Sequence, residues 1–203
     1  QQASFEPDYI AWNSVINAFA RSGQADEASE WLTEMEKSGC PTTVVTYSSV
    51  VNAYASLGNA DEAIRWLTRM EELGFHANVY VHTSITKAYA LSGQPDKAAG
   101  WLQQMEASGE EPNDATYATV VDAYARKRRF QDAIQVLDQM EAAGFIAREG
   151  IYAKLVKGIC RKGRLGSPGL LENLYSRMVA RNLQPSGYII DLIEASLGKE
   201  AYG

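Results

Sequence analysis

A nine-residue segment recurs four times along this chain, always 35 residues apart. The copies read WLTEMEKSG from Trp31, WLTRMEELG from Trp66, WLQQMEASG from Trp101 and VLDQMEAAG from Val136. A fixed period of this length is typical of solenoids, in which each unit buries its apolar face against a copy of itself. The repeat therefore predicts a linear array of units rather than a fold around one central core.

Beginning the unit at Tyr9 divides most of the chain into repeats, whose places we number from 1 to 35. Four repeats have 35 residues each, and the fifth diverges, with its methionine Met178 three residues late. A last helical segment follows and is expected to cap the apolar end of the stack. We therefore predict a single array over residues 1–203, with repeats at 9–43, 44–78, 79–113, 114–148 and 149–186 and a capping helix at about 187–197.

Each repeat has the pattern of two amphipathic helices. In the second repeat Tyr47, Val50 and Tyr54 lie at helical spacing, and Gly58 suits a helix end. Asn59 follows, where its side chain is expected to cap the next helix. The sequence therefore predicts an all-α fold, an α-solenoid of about five helix-turn-helix repeats with a C-terminal capping helix.

Small and aromatic residues recur at fixed places in the second helix of each repeat. Alanine at place 20 and methionine at place 27 are expected to pack between close helices. The tryptophans at place 23 are predicted to be core residues that fill the space between successive helix pairs, rather than a ladder for stacking a ligand. They are Trp31, Trp66 and Trp101.

The composition argues against several classes of protein. No run of 18 apolar residues exists, so we predict no membrane span, and the first residues lack the features of a signal peptide. Cys40 and Cys160 are far apart and outside any CxxC motif, which favours reduced structural thiols. His76 and His82 are expected to lie in a loop and on a helix surface. Because no residues have the spacing of metal ligands, we expect neither a metal site nor a cofactor.

Charge divides the chain into an acidic and a basic part. Residues 1–113 have 15 acidic and 6 basic residues, a formal charge of −9. Residues 114–203 have 10 acidic and 13 basic residues, a formal charge of +3. This asymmetry indicates an anionic partner near the C-terminal half.

The second repeat, VVTYSSVVNAYASLGNADEAIRWLTRMEELGFHAN, resembles a pentatricopeptide repeat in its V-V-T-Y opening, its G-x-x-D-E-A turn and its M-E-x-x-G ending. The resemblance covers residues 9–148 closely and residues 149–186 loosely. It implies a right-handed α-solenoid that binds single-stranded RNA, one base per repeat, in a chloroplast or a mitochondrion. It also implies that the side chains at place 5 and at the last place read each base, while the side chain at place 2 packs against the base faces.

In the first three repeats the residue types suit these implied roles. The base-reading residues would be Asn13, Thr43, Ser48, Asn78, Thr83 and Asn113, and the base-stacking residues would be Ile10, Val45 and Tyr80. The polar side chains can exchange hydrogen bonds with base edges, although the types at the last place are equally explained by helix capping. By the family's code, repeats 1–3 would read pyrimidine-A-A from 5′ to 3′.

Repeats 4 and 5 depart from this pattern. Ala118 and Ala153 at place 5 cannot form side-chain hydrogen bonds, and Ala115 and Gly150 at place 2 offer little surface for stacking. Basic residues gather in these same repeats, and places 5, 9 and 13 share a helix face. We therefore predict that this half contacts phosphates without reading sequence, the alternative being an ordinary solvated helix end. The predicted phosphate contacts are Arg126, Lys157 and Arg161.

No deaminase zinc motif, aspartate cluster outside the repeats, P-loop or GxGxxG motif is present, so we predict that the chain is not an enzyme. The leading hypothesis is an RNA-binding adaptor in organellar RNA stabilisation, splicing, processing or translation. The alternative is a scaffold that binds no RNA and forms part of a larger protein or ribonucleoprotein assembly. A tetratricopeptide-like peptide clamp is a third hypothesis.

Overall fold

The computed structural model describes residues 8–160 and 168–197. Within these ranges the chain forms eleven α-helices and no strand, which confirms the predicted all-α fold class. The helices are α1 (Tyr9–Arg21), α2 (Ala25–Lys37), α3 (Val44–Ser56), α4 (Ala60–Glu72), α5 (Val79–Leu91), α6 (Pro95–Ala107), α7 (Asp114–Arg126), α8 (Phe130–Ala142), α9 (Glu149–Cys160), α10 (Pro168–Ala180) and α11 (Gly187–Leu197). The first helix of each pair begins at place 1 of its repeat.

The helices form two compact units, residues 1–113 and 114–203. In the first unit, α3 packs against its hairpin partner α4 and also against α1 and α5, the first helices of the repeats on either side. In the second unit, α9 packs against α7, α10 and α11. Each unit is therefore a stack of helix pairs in which a first helix contacts both its own partner and the first helix of the next repeat.

Residues at equivalent places form the core of both units. The methionines at place 27 are at most 1% exposed, and the alanines at place 20 are fully buried. Burying a methionine side chain stabilises a fold by roughly 1.5–3 kcal/mol, while alanine lets helices approach closely. These residues are Met35, Met70, Met105 and Met140, with Ala28, Ala63, Ala98 and Ala133.

Glycine at place 15 ends the first helix of the first three repeats in the left-handed conformation, with φ between 71° and 80° at Gly23, Gly58 and Gly93. In the fourth repeat the same place is Arg128, which has a φ of 60°. A residue with a Cβ atom pays about 1–2 kcal/mol for this conformation. The turn geometry is thus the same in four repeats even where the residue type opposes it.

The prediction that the place 23 tryptophans are core residues is wrong for Trp31. Trp31 is 39% exposed and packs against two aromatic rings of α1, with centroids 5.5 Å and 6.3 Å away. The other two tryptophans are half-buried and also pack against the first helix of their own repeat, Trp66 against Tyr47 and Trp101 against His82. The interior of the stack is occupied instead by leucine at place 24 and methionine at place 27.

The prediction that Asn59 caps α4 with its side chain is also wrong. Asn59 has a ψ of 72° and makes no capping hydrogen bond, and the residues before α2, α6 and α8 behave in the same way. Side-chain capping needs extended backbone, which the residues before the first helices of the repeats adopt. Capping side chains are present there in Asp8, Thr43 and Asn78.

A tyrosine–glutamate hydrogen bond joins successive repeats in both units. The Tyr47 hydroxyl donates to Glu36 in the first unit, and the Tyr152 hydroxyl donates to Glu141 Oε1 at 2.7 Å in the second. In each pair the tyrosine is at place 4 and the glutamate at place 28 of the preceding repeat. Burial, reinforced by the bond to Glu36, raises the pKa of Tyr47 to about 12, and the same causes raise the pKa of Tyr152. Both tyrosines therefore stay neutral donors at physiological pH.

Repeat 3 has a histidine where this tyrosine would stand. His82 is half-buried rather than on the helix surface, which corrects the sequence-based expectation, and its ring lies 5.8 Å from that of Trp101. Its buried Nδ1 atom has no hydrogen-bond partner in the part of the chain that the structure describes. Burial lowers the pKa of His82, an effect that Glu110 and Glu71 partly oppose.

We expect the protein to lose stability as the pH falls below 6.5, because of His82. The folded state holds His82 neutral, since burial lowers its pKa, whereas the unfolded chain binds the proton at higher pH. The stability that depends on neutral His82 is therefore fully present above pH 6.5 and is lost as the pH falls. Urea denaturation between pH 5 and pH 8 would measure the loss. A His82→Tyr variant, which retains the exposed His76, should show a shallower pH dependence, and an identical dependence would contradict the assignment.

Candidate nucleic-acid interface

Large apolar side chains are exposed at place 2 of the first three repeats. Ile10 is 57% exposed, Val45 69% and Tyr80 58%. Each is the second residue of its helix, in α1, α3 and α5, so the three occupy equivalent positions in successive repeats. The sequence-predicted stacking residues are therefore accessible to a ligand, although an apolar side chain usually gains by burial.

A cleft of about 600 Å³ lies between Val45 and Tyr80. Its walls include Ser48 and Asn78, the predicted base-reading residues of repeat 2, so the structure brings the three predicted residues of this repeat together with Tyr80, the predicted stacking residue of repeat 3. Other polar side chains that the sequence analysis did not single out also line the cleft. They are Asn17 and Arg21 on α1, and Ser49 and Asn52 on α3. Their helical spacing, which puts the members of each pair on one side of their helix, is the sequence feature that could have identified them.

The two reading side chains of repeat 2 each have one local hydrogen bond. Ser48 Oγ donates to the carbonyl oxygen of Val44 at 2.6 Å, and Asn78 Oδ1 accepts from the backbone N–H of Val81 at 3.1 Å. The serine oxygen therefore keeps lone pairs as acceptors, and the asparagine keeps its amide N–H groups as donors. The cleft thus presents one acceptor and one donor to a polar edge placed between Val45 and Tyr80.

The reading residues of repeat 1 are joined by a third side chain. Thr46, which is 1% exposed, donates from its hydroxyl to Asn13 Oδ1 at 2.6 Å. Its oxygen also lies 3.0 Å from the Thr43 hydroxyl and accepts from the Thr43 backbone N–H at 3.2 Å. The structure therefore places Asn13 and Thr43 in one network, and the sequence analysis missed its central member.

In repeat 3, Thr83 is half-buried on α5 and Asn113 is half-buried just before α7 in the sequence. Both have interactions with other residues. Their use as a reading pair stays a prediction.

The predicted phosphate-contacting residues differ in the interactions that they already make. Arg126 Nη2 forms an ion pair with Asp122 Oδ2 at 2.6 Å, and Lys154 Nζ pairs with Asp122 Oδ1 at 2.9 Å, so two cations share one carboxylate. Lys157 Nζ lies over the Tyr188 ring, 5.0 Å from its centroid. Arg161 lies outside the described residues. A phosphate at Arg126 would have to compete with Asp122.

The second unit has a cavity of about 370 Å³ where repeat 4 meets repeat 5. Ala118 takes the position that Ser48 has in repeat 2, and Arg148 takes that of Asn78. Arg148 is paired with Asp114 at 2.9 Å. The apolar part of the lining comes from Ala115, Val121, Ala125, Met140 and Leu155. The cavity therefore offers no side-chain hydrogen bond at place 5.

Two other kinds of site are not found within the described ranges. No group of three or more His, Cys, Asp or Glu residues there could hold a metal ion. None of the helices described is long and apolar enough to cross a membrane. Cys40 and Cys160 are free thiols and half-buried.

Two family models match the chain. Residues 7–56 match the PPR repeat family, and residues 60–168 match the pentacotripeptide-repeat region of PRORP. No curated protein sequence matches the chain significantly.

Solved structures of similar fold include three informative cases. The pentatricopeptide repeat protein PPR10 from maize is 29% identical, with a TM-score of 0.75 over 98% of this chain and 28% of that chain. PPR10 in complex with an 18-nt psaJ RNA element is 20% identical, with a TM-score of 0.69 over 98% of this chain and 32% of that one. The PPR domain of Arabidopsis thaliana protein-only RNase P 1 in complex with tRNA is 18% identical, with a TM-score of 0.72 over 89% of this chain and 94% of that one.

These matches agree with the residue pattern on which the resemblance rests. The chain spans less than a third of the PPR10 chain but most of the PPR domain of the RNase P protein. One family model alone covers more than half of the present sequence, and the fold is that of pentatricopeptide repeat structures. The chain belongs to the pentatricopeptide repeat family.

Proposed function

We propose that this chain binds single-stranded RNA as an adaptor without chemistry of its own. Repeats 1–3 read one base each, in the order pyrimidine-A-A, through Asn13, Thr43, Ser48, Asn78, Thr83 and Asn113, and the basic residues of repeats 4 and 5 hold phosphates. The proposed setting is RNA stabilisation, splicing, processing or translation in a chloroplast or a mitochondrion, as family membership suggests. The RNA complexes of PPR10 and of the RNase P PPR domain support an RNA ligand.

The observation that carries the proposal is the cleft between Val45 and Tyr80. A nucleobase has two apolar faces and one polar edge, and proteins that bind single strands exploit both. The cleft is lined by the aliphatic side chain of Val45 and the aromatic side chain of Tyr80, together with Ser48 and Asn78. This arrangement suits a base that stacks between the walls and turns its polar edge toward the two reading side chains.

The hydrogen-bonding capacity of repeat 2 is consistent with adenine. The Watson–Crick edge of adenine carries the N6 amino group as a donor beside the N1 acceptor. Ser48 Oγ can accept from N6, and the Asn78 amide can donate to N1, since the existing local bonds of both side chains leave these capacities unused. The family's code and the local chemistry therefore support the same base.

The experiment that tests the proposal is fluorescence anisotropy with labelled RNAs across a series of salt concentrations. The RNAs carry pyrimidine-A-A or the same word with the base for repeat 2 changed, and scrambled RNA, DNA and duplex serve as comparisons. We expect a preference for adenine opposite repeat 2, and Ser48→Ala should reduce that preference about fivefold, since one hydrogen bond contributes about 1 kcal/mol. Ser176→Ala is the matched control, because Ser176 also bonds a carbonyl of its own helix but lies in the second unit.

The outcomes separate the parts of the proposal. Binding with a steep salt dependence but no base preference would refute base reading and leave phosphate contacts as the only mode. An absence of binding at low salt would refute RNA binding by this chain. Equal effects of Ser48→Ala and Ser176→Ala would refute the role of Ser48.

A second candidate function is a scaffold subunit of a larger protein or ribonucleoprotein assembly. The cavity of the second unit favours it, because its lining is mostly apolar and its two lining cations, Arg148 and Lys154, are already paired with Asp114 and Asp122. The word pyrimidine-A-A also recurs roughly every 32 nucleotides in random sequence, given one base per repeat, so three readers need a further partner to select one transcript. Co-purification of a protein complex, with no RNA binding, would favour this second candidate.

A further inference from the structure

We infer that Thr46 is a positioning residue that sets the base selectivity of repeat 1. It does so by holding the Asn13 side chain in one orientation, with the amide N–H groups directed to the base. This inference rests on the proposed function, because it assigns the origin of selectivity at a reading site of the proposed RNA interface.

The direction of the hydrogen bonds follows from the chemistry of the three side chains. An amide oxygen only accepts, so the single hydroxyl hydrogen of Thr46 goes to Asn13 Oδ1, at 2.6 Å. The contact of 3.0 Å between the two threonine hydroxyls must then have Thr43 as its donor. The Thr43 backbone N–H donates to the same Thr46 oxygen at 3.2 Å, which further commits that oxygen as an acceptor toward Thr43.

This network removes the ambiguity that an asparagine normally has. A free asparagine side chain can turn its oxygen or its nitrogen toward a ligand and so match almost any base edge. With Oδ1 held by Thr46, only the N–H groups of Asn13 remain for the base. Because Thr46 is 1% exposed, water has little access to replace the bond. Repeat 1 therefore favours a base with an acceptor at this position, such as the O2 atom of either pyrimidine or the N3 atom of cytosine.

Repeat 3 provides a natural comparison for the same place. Place 3 is Thr46 in repeat 2 and Val81 in repeat 3, and both residues are 1% exposed in the first unit. Valine has nearly the shape of threonine but lacks the hydroxyl. Ser48, the place 5 residue of repeat 2, therefore has no hydroxyl at place 3 of the next repeat to bond, and it donates to the carbonyl oxygen of Val44 in its own helix. A hydroxyl at place 3 is therefore not required by the packing of the stack, which separates its effect on Asn13 from the core.

The test compares Thr46→Val with Thr46→Ser in anisotropy titrations. The measured quantity is the ratio of affinities for two RNAs that differ only in having a pyrimidine or a purine opposite repeat 1. We expect Thr46→Val to reduce this ratio about fivefold, since one hydrogen bond of about 1 kcal/mol orients the amide. Thr46→Ser keeps the hydroxyl and should retain the ratio within about twofold. A loss of stability alone would weaken both RNAs equally and leave the ratio unchanged.

A double-mutant cycle completes the test. In an Asn13→Ala background, Thr46→Val should change the ratio less than it does in the wild type, because the Asn13 side chain that Thr46 positions is absent and only the contact to Thr43 is lost. If Thr46→Val fails to fold, Thr46→Ala carries the same expectation, with folding checked by far-UV circular dichroism. An unchanged ratio in a folded Thr46 variant without the hydroxyl would overturn the inference, while the adenine preference at repeat 2 would show that the proposed function still holds. A wild-type protein without any preference at repeat 1 would overturn both the inference and base reading by that repeat.

Discussion

Replacing both Val45 and Tyr80 by alanine is expected to weaken the binding of RNA carrying pyrimidine-A-A by about tenfold or more. The two side chains line the same cleft as Ser48 and Asn78. Base stacking on an aromatic side chain contributes about 1–3 kcal/mol by alanine substitution, and 1.4 kcal/mol corresponds to a factor of ten. Anisotropy titration with the wild-type protein and the double variant at one salt concentration would measure the loss.

Stability and binding can be separated for this pair. Val45 is 69% exposed and Tyr80 58%, so their truncation should change the free energy of unfolding by less than about 0.5 kcal/mol per side chain. Leu73→Ala is the matched control, since Leu73 is also an exposed apolar residue of the first unit, 44% exposed, and does not line the cleft. If the double variant binds RNA as tightly as the wild type, the cleft does not hold a base.

The largest effect on stability is expected at Tyr47. Tyr47→Ala should lower the free energy of unfolding by about 3–5 kcal/mol, the range for truncating a large buried aromatic residue. The Tyr47 side chain is fully buried, its ring packs against Trp66 and Phe75, and its hydroxyl donates to Glu36. The substitution therefore removes core packing together with a hydrogen bond between repeats.

Tyr47→Phe isolates the hydroxyl and should cost about 1–3 kcal/mol, because Glu36 loses a donor in a partly buried site. Glu36, whose side chain is 23% exposed, keeps a longer contact to Arg69, 3.7 Å between Nε and Oε1. Urea denaturation followed by far-UV circular dichroism would measure both variants. Tyr9→Phe is the control, since Tyr9 is 50% exposed and should change stability little. Equal stabilities of Tyr47→Phe and the wild type would show that the bond to Glu36 contributes nothing net.

The place of Tyr47 also bears on cooperativity. In repeat arrays, the coupling between units resides in the interfaces of neighbours. The bond from Tyr47 to Glu36 joins repeats 1 and 2, and that from Tyr152 to Glu141 joins repeats 4 and 5. His82 lacks an equivalent bond at its buried Nδ1 atom in the described part of the chain. We therefore expect the interface between repeats 2 and 3 to be the less tightly coupled of those in the first unit.

Much of the fold could be predicted from the sequence because the period repeats local information four times. The first helices begin at place 1 of each repeat, and the methionines of place 27 are buried. The family resemblance also pointed to Ile10, Val45 and Tyr80 as surface residues, and all three are more than half exposed. Periodicity shows which face of a helix is apolar, and in a stack of similar units that face has the same neighbour each time.

Charge was harder to predict from the sequence. The basic residues of repeats 4 and 5 suggested a surface free to hold phosphates, yet Arg126 and Lys154 share the carboxylate of Asp122. Counting charges along a chain gives their sum but not the pairs that they form, and pairs neutralise one another locally. The phosphate contacts of the second unit therefore stay a prediction that the salt series must test.

The sequence by itself determined the all-α fold, the period of the helix pairs and the residues that can form their apolar faces. Only the tertiary structure decided which atoms meet across repeats. It moved the tryptophans from the interior of the stack to the first helix of their own repeat, and it brought Thr46 to Asn13 from 33 residues away. Helical periodicity depends on backbone geometry that every residue shares, whereas a hydrogen bond depends on the position and direction of two particular side chains. For this reason the repeat predicted the fold but not the hydrogen bonds of the reading site.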